Sequence, residues 1–180
     1  MKELFLLGST GSIGETTLNV IKKEKQNFKV TLLSTNNNVN KIYKQALKFN
    51  VKIIVIHNKE KYFKSVEKFR KKKIKVFPTV KEALKNKKNK SYLTINAISG
   101  INGLNPSLNI IKKTKNFAMA NKESIICGWS FIKRELKKSN TNFIPLDSEH
   151  FSIWSLIKSE KIKNIKKIYL TASGGPFLKR

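Results

Sequence analysis

The stretch Leu4-Phe5-Leu6-Leu7-Gly8-Ser9-Thr10-Gly11-Ser12-Ile13-Gly14 decides the fold. Four apolar residues form a short run of buried-strand type, three glycines follow, and Thr17, Leu18 and Ile21 continue with a helical period. The order is therefore strand, glycine loop, helix. Glycines let the backbone turn tightly and approach a pyrophosphate, while the helix N-terminal amides and dipole hold the anion. The spacing G-x-x-G-x-x-G is a variant of the usual dinucleotide fingerprint, and its place on the first strand favours that reading over a plain glycine turn.

Outward from this loop the pattern alternates. Phe28 to Ser34 reads as a second strand, Val39 to Phe49 as a helix and Ile53 to Ile56 as a strand. A Lys-rich helix over Lys59 to Lys71, a strand from Ile74 to Phe77 and a helix from Thr79 follow. Tyr92 to Asn96 and Phe117 to Ala120 are further strands, with a helix over Ile125 to Lys137. Such alternation predicts an α/β fold, a Rossmann-like doubly wound parallel sheet covered on both faces. Ligands in these sheets bind beyond the carboxyl ends of the strands. The special loops fall there, as does His57, which reads as structural or solvent-facing.

The second strand ends in Ser34-Thr35-Asn36-Asn37-Asn38, with Lys41 soon after and no acid between Glu24 and Glu60. Enzymes that prefer NAD usually place an acid here to bond the ribose hydroxyls. Its absence tolerates a 2′-phosphate and favours NADP.

Two later stretches carry chemistry. Asn121-Lys122-Glu123-Ser124 sets an ammonium beside an amide and a carboxylate at a strand's carboxyl end, although Asn121 reads equally as a helix cap. Pro145-Leu146-Asp147-Ser148-Glu149-His150 contains the sole aspartate of the chain, and carboxylates at i and i+2 can aim hard oxygens at Mg²⁺ or Mn²⁺. Capping of a helix from Ser148 by Asp147 is the alternative. In that helix Ile153, Trp154 and Ile157 have the spacing of a core face. A last strand, Ile168 to Thr171, leads to Ser173-Gly174-Gly175, which can form a nest of amides for an anion.

Composition narrows the alternatives. The net charge of +27 comes from 38 Lys+Arg against 11 Asp+Glu. Arg occurs only at 70, 134 and 180, and the lysines are scattered without the aromatic interleaving or arginine forks that read bases. Non-specific polyanion affinity is expected, with no specific nucleic-acid partner. The one cysteine, Cys127, excludes an internal disulfide, suits a reducing cytoplasm and reads as a buried small apolar residue. No apolar run of ~20 residues is present, so no membrane span is expected.

Taken together, Leu7 to Gly14, Ala97 to Leu104, Ala120 to Ser124, Pro145 to His150 and Ser173 to Phe177 resemble, in order and spacing, the 1-deoxy-D-xylulose 5-phosphate reductoisomerase family. That resemblance implies NADPH-dependent, metal-assisted conversion of a phosphorylated ketose to 2-C-methyl-D-erythritol 4-phosphate in isoprenoid precursor synthesis. It implies that Thr10, Gly11, Ser12, Ile13, Asn121 and Glu123 hold the cofactor, with Asn36, Asn37 and Asn38 near its 2′-phosphate. Lys122, Ser148, Glu149 and Ser173 would contact substrate, and Asp147 and Glu149 the metal, Mn²⁺ or Mg²⁺. Lys122, Asp147 and Glu149 would be the catalytic set, and the full-length enzyme a homodimer, cytoplasmic or in an organelle stroma after loss of a transit peptide.

This chain departs from the family where Asn36-Asn37-Asn38 replaces a Gly-Lys-Asn-like segment and where Leu178 replaces an Arg. On the resemblance, residues 1–144 form the NADPH-binding domain and 145–180 only the beginning of an α+β catalytic domain, so poor turnover by the chain alone is expected. Among rivals, a short-chain dehydrogenase needs a Tyr-x-x-x-Lys pair, which no tyrosine here supplies. A semialdehyde dehydrogenase needs Cys127 as nucleophile. A basic nucleic-acid-binding module would bind in a salt-sensitive manner, unaffected by NADPH.

Overall fold

The computed structural model describes residues 1–24 and 27–170. Seven strands form one parallel sheet: β1 (Lys2–Leu7), β2 (Phe28–Thr35), β3 (Ile53–Ile56), β4 (Lys75–Phe77), β5 (Ser91–Asn96), β6 (Thr114–Met119) and β7 (Asn142–Pro145). Their order across the sheet is β4-β3-β2-β1-β5-β6-β7. The chain thus winds outward from β1 in one direction and then from β5 in the other, leaving a switch point between β1 and β5.

Strands buried on both faces need continuous apolar runs, and Leu4 to Leu7 and Ile54 to Ile56 are almost wholly buried. One face is covered by α1 (Ser12–Lys23), α2 (Val39–Lys48) and α3 (Lys59–Arg70), whose Leu18, Ile21, Ile42, Ala46 and Phe69 pack on Leu4, Leu6 and Leu33. The other face is covered by α4 (Val80–Ala83), α5 (Leu104–Ile110) and α6 (Lys122–Ser139), which bury Val80, Ile110, Ile132 and Leu136 against Phe5, Leu7 and Phe117. At roughly 1.5–3 kcal/mol per fully buried large aliphatic or aromatic side chain, these two layers are the main source of stability.

Three expectations need correction. Cys127 is exposed, because the packed stripe of α6 runs Ser124, Gly128, Ile132, Leu136, and Cys127 lies about 100° around the helix from Gly128. No residue of α7 (Ser148–Ile157) is fully buried: the helix leaves the edge strand β7, its Ile153, Trp154 and Ile157 are only half-buried, and Trp154 packs against Phe151 with ring centroids 5.8 Å apart. Ile168–Leu170 form no strand, since the sheet ends at β7 and offers them no ladder among the described residues. Thr171 and the Ser173-Gly174-Gly175 stretch lie outside the described residues.

Candidate functional site

The strand register brings the carboxyl ends to one level. Leu7 pairs with Asn96, Asn96 with Met119 and Met119 with Pro145. The loops that follow these residues therefore share one edge of the sheet.

At its centre, Gly8 adopts φ +73°, and a Cβ there would lie 2.6 Å from the Ala97 carbonyl oxygen. Only glycine permits β1 and β5 to meet this closely at the switch point. The loop is pinned from below. Gly8 N–H donates to the Ser34 hydroxyl (3.0 Å), the buried Ser9 hydroxyl to Gln45 Oε1 (2.7 Å), and the Thr10 and Thr35 hydroxyls share a 2.8 Å bond. Gly11 is the N-cap of α1 and brings no side chain to its first-turn amides. Those donors of Ser12, Ile13 and Gly14 have no partner within the helix, which suits an anion.

A cavity of about 710 Å³ opens beside the loop, within the ordinary size of a ligand site. Its walls include Gly8, Thr10, Gly11, Thr35, Asn36 and, from β5's loop, Ile98. Asn37 and Asn38 do not line it: the Asn38 side chain caps α2 by accepting from Lys41 N–H at 3.1 Å. Lys41 extends instead to Glu15, with Nζ 2.7 Å from the carboxylate.

His57, after β3, is half-buried and lines this cavity. Its Nε2 is buried without a hydrogen-bond partner, and burial lowers its pKa below the usual histidine value. Thr79 and Lys81 complete the wall from beyond β4. Strand-end position singles out His57, whereas Lys81 lies in α4, and spacing alone does not tell which side chains converge.

The wall made by Ala97 to Gly103 is locked by two buried asparagines. Asn96 Nδ2 donates to the Gly103 carbonyl (3.1 Å) and the Ser107 hydroxyl (2.7 Å), and its Oδ1 accepts from Ile98 N–H (3.0 Å). Asn121 caps α6, accepting from Ser124 N–H at 2.9 Å, while its Nδ2 donates to the carbonyls of Ile98 and Gly100. The Asn121 side chain is thus committed to shaping the loop. Lys122 and Glu123 stand exposed on the first turn of α6.

Asp147 and Glu149 emerge next to them, because Leu146 N–H donates to the Met119 carbonyl at 2.9 Å. Asp147 caps α7: its Oδ1 accepts from His150 N–H at 3.0 Å and lies 2.5 Å from His150 Nδ1. Burial works against the charged form of Asp147, but the hydrogen bonds and charge of His150 outweigh it and hold the carboxyl below the usual range. Asp147 Oδ2 is buried without a partner. That orphaned oxygen, with the exposed Glu149 carboxylate two residues on, fits a hard cation that keeps part of its water shell. Among the described residues no third His, Cys, Asp or Glu joins them, and the helix cap engages only Oδ1 of Asp147.

Comparison with known proteins follows the same lines. A sequence model described as 1-deoxy-D-xylulose 5-phosphate reductoisomerase matches residues 4–128, and one for the C-terminal domain of that enzyme matches residues 143–180. The 1-deoxy-D-xylulose 5-phosphate reductoisomerase of Pelagibacter ubique is 49% identical over 179 residues, covering 98% of this chain and 46% of that protein. The solved reductoisomerase from Zymomonas mobilis in complex with NADPH is 30% identical, with TM-score 0.74, covering 83% of this chain and 39% of that one. A DOX-P reductoisomerase in complex with NADPH, fosmidomycin and magnesium is 25% identical, with TM-score 0.78, covering 86% of this chain and 38% of that one. The chain spans about half the length of the curated relatives it matches.

Proposed function

The chain belongs to the 1-deoxy-D-xylulose 5-phosphate reductoisomerase family, and on that premise we propose that it provides the NADPH-binding part and the first metal ligands of such an enzyme. Residues 1–144 are the cofactor domain and 145–180 the start of the catalytic domain. The observation that carries this reading is the common level of Leu7, Asn96, Met119 and Pro145, which delivers a dinucleotide-sized cavity and the Asp147–Glu149 pair to one edge of the sheet.

In this reading Thr10 and Gly11 line the cofactor's pyrophosphate, the free amides of Ser12 and Ile13 bond it, and Asn36 faces its ribose. Asn121 keeps the nicotinamide-side loop in shape, with Glu123 bonding the adjoining ribose. Lys122 orients the phosphorylated ketose by charge, and Ser148 and Glu149 bond its hydroxyls. Ser173, assigned to the phosphate end, lies outside the described residues. NADPH, when bound, would supply the hydride, and Asp147 and Glu149 would hold a Mg²⁺ or Mn²⁺ able to fix and polarise the substrate's oxygens. The full-length enzyme would act as a homodimer in the cytoplasm or a stroma, without a nucleic-acid or membrane partner. No helix among the described residues is long and apolar enough to cross a membrane.

The test is a chimera in which this chain replaces the matching part of the Pelagibacter ubique enzyme. NADPH oxidation that requires both 1-deoxy-D-xylulose 5-phosphate and Mg²⁺ is the expected result, lost on Lys122→Ala or Asp147→Asn. A folded chimera that binds NADPH but does not turn over would overturn the assignment.

A further inference from the structure

We propose that Lys81 is the group by which this chain selects a 2′-phosphorylated adenosine. The inference rests on the dinucleotide reading of the cavity and adds to it the source of cofactor preference.

Sheet order supplies the first argument. Reading outward from the glycine loop, the strands run β1, β2, β3, β4, and their ends place Thr35 and Asn36, then His57, then Thr79 and Lys81 on one cavity wall. With the pyrophosphate at the loop after β1 and the ribose 2′-oxygen at the end of β2, the next strand ends outward from the 2′-position are those of β3 and β4.

Charge supplies the second. Lys81 is the only Lys or Arg among the described residues that line the cavity, and no Asp or Glu lines it. The obvious alternative, Lys41, is paired with Glu15 over a different depression, between α1 and α2. Lys81 is exposed and makes no ion pair among the described residues, while its neighbour Glu82 is held by the Thr79 hydroxyl at 2.9 Å. The Lys81 ammonium is therefore available to a ligand. Burial lowers the pKa of the neighbouring His57, so that ring does not supply the charge. The cationic role falls to Lys81 alone.

Calorimetric titration of the 180-residue chain with NADPH, NADH and 2′,5′-ADP tests this. Lys81→Ala should weaken NADPH and 2′,5′-ADP about tenfold, the scale of one charge-assisted phosphate contact, and leave NADH unchanged. Lys81→Arg should restore most of the loss. Because Lys81 is exposed, circular dichroism should report an unaltered fold. NADPH binding that Lys81→Ala leaves intact, or an equal loss for NADPH and NADH, would overturn the role of Lys81 while sparing the cofactor reading. A folded wild-type chain that binds neither cofactor would overturn both.

Discussion

Replacing Gly14 with alanine should destabilise the chain, against the trend for a helix interior. Gly14 lies in α1, where alanine ordinarily gains about 1 kcal/mol over glycine. Here, however, a Cβ would sit 2.4 Å from the Gly8 carbonyl oxygen, 2.6 Å from Ser9 Cα and 2.7 Å from the Ser9 carbonyl carbon. All three are backbone atoms of a loop fixed by the bonds of Ser9 to Gln45 and Gly8 to Ser34. Relief requires α1 to retreat by about 1 Å, and overpacking of this kind costs about 1–3 kcal/mol or more. The clash outweighs the propensity gain, so a net loss of roughly 1–2 kcal/mol is expected, with a matching loss of NADPH affinity as the cradle widens. Gly11→Ala is the control: its Cβ would have no neighbour nearer than 3.6 Å, and only the N-cap preference, up to about 1 kcal/mol, is at stake. Urea unfolding followed by circular dichroism measures both. A Gly14→Ala chain as stable as wild type would refute the close-approach argument.

Asp147→Asn should abolish Mn²⁺ binding, read by electron paramagnetic resonance, while leaving NADPH affinity and the α7 cap intact, because Asn caps as well as Asp; undiminished metal affinity would reduce Asp147 to a cap. Asn121→Ala strips the cap of α6 and leaves the Ile98 and Gly100 carbonyls without their donor, and should cost about 2–3 kcal/mol in urea unfolding. His57 has a folded pKa below that of the unfolded chain, so the unfolded state takes up the proton first as pH falls. Stability should therefore drop from about pH 6.5 downward until the folded ring also titrates, and His57→Gln should remove that part of the acid dependence. An unchanged pH profile in the variant would show that His57 is not desolvated.

What sequence patterns reveal here follows from how locally each feature is encoded. The run Ile53 to Ile56 and the glycine loop are contiguous, so β3 and the β1–α1 turn emerge from the chain directly. Helix α5 is harder to read, because Asn105, Pro106 and Asn109 interrupt its apolar period, although Pro106 lies in the first turn, where its missing donor is harmless. The exposure of Cys127 depends on which stripe of α6 meets the sheet, and Gly128 against Leu104 sets that stripe. The cavity wall is assembled from the ends of five different strands, β1 to β5, which is why the convergence of Thr10, Thr35, His57, Lys81 and Ile98 needs the sheet order. Asn36 and Asn38 are near neighbours in sequence yet do different work, one facing the cavity and one capping α2.

The most direct test of the cofactor site is hydrogen exchange of the purified chain with and without NADPH. Protection is expected at the amides of residues 8–14, 35–36 and 97–103, with none added along the far edge of the sheet. Saturating NADPH that protects no amide in those three segments would contradict the account.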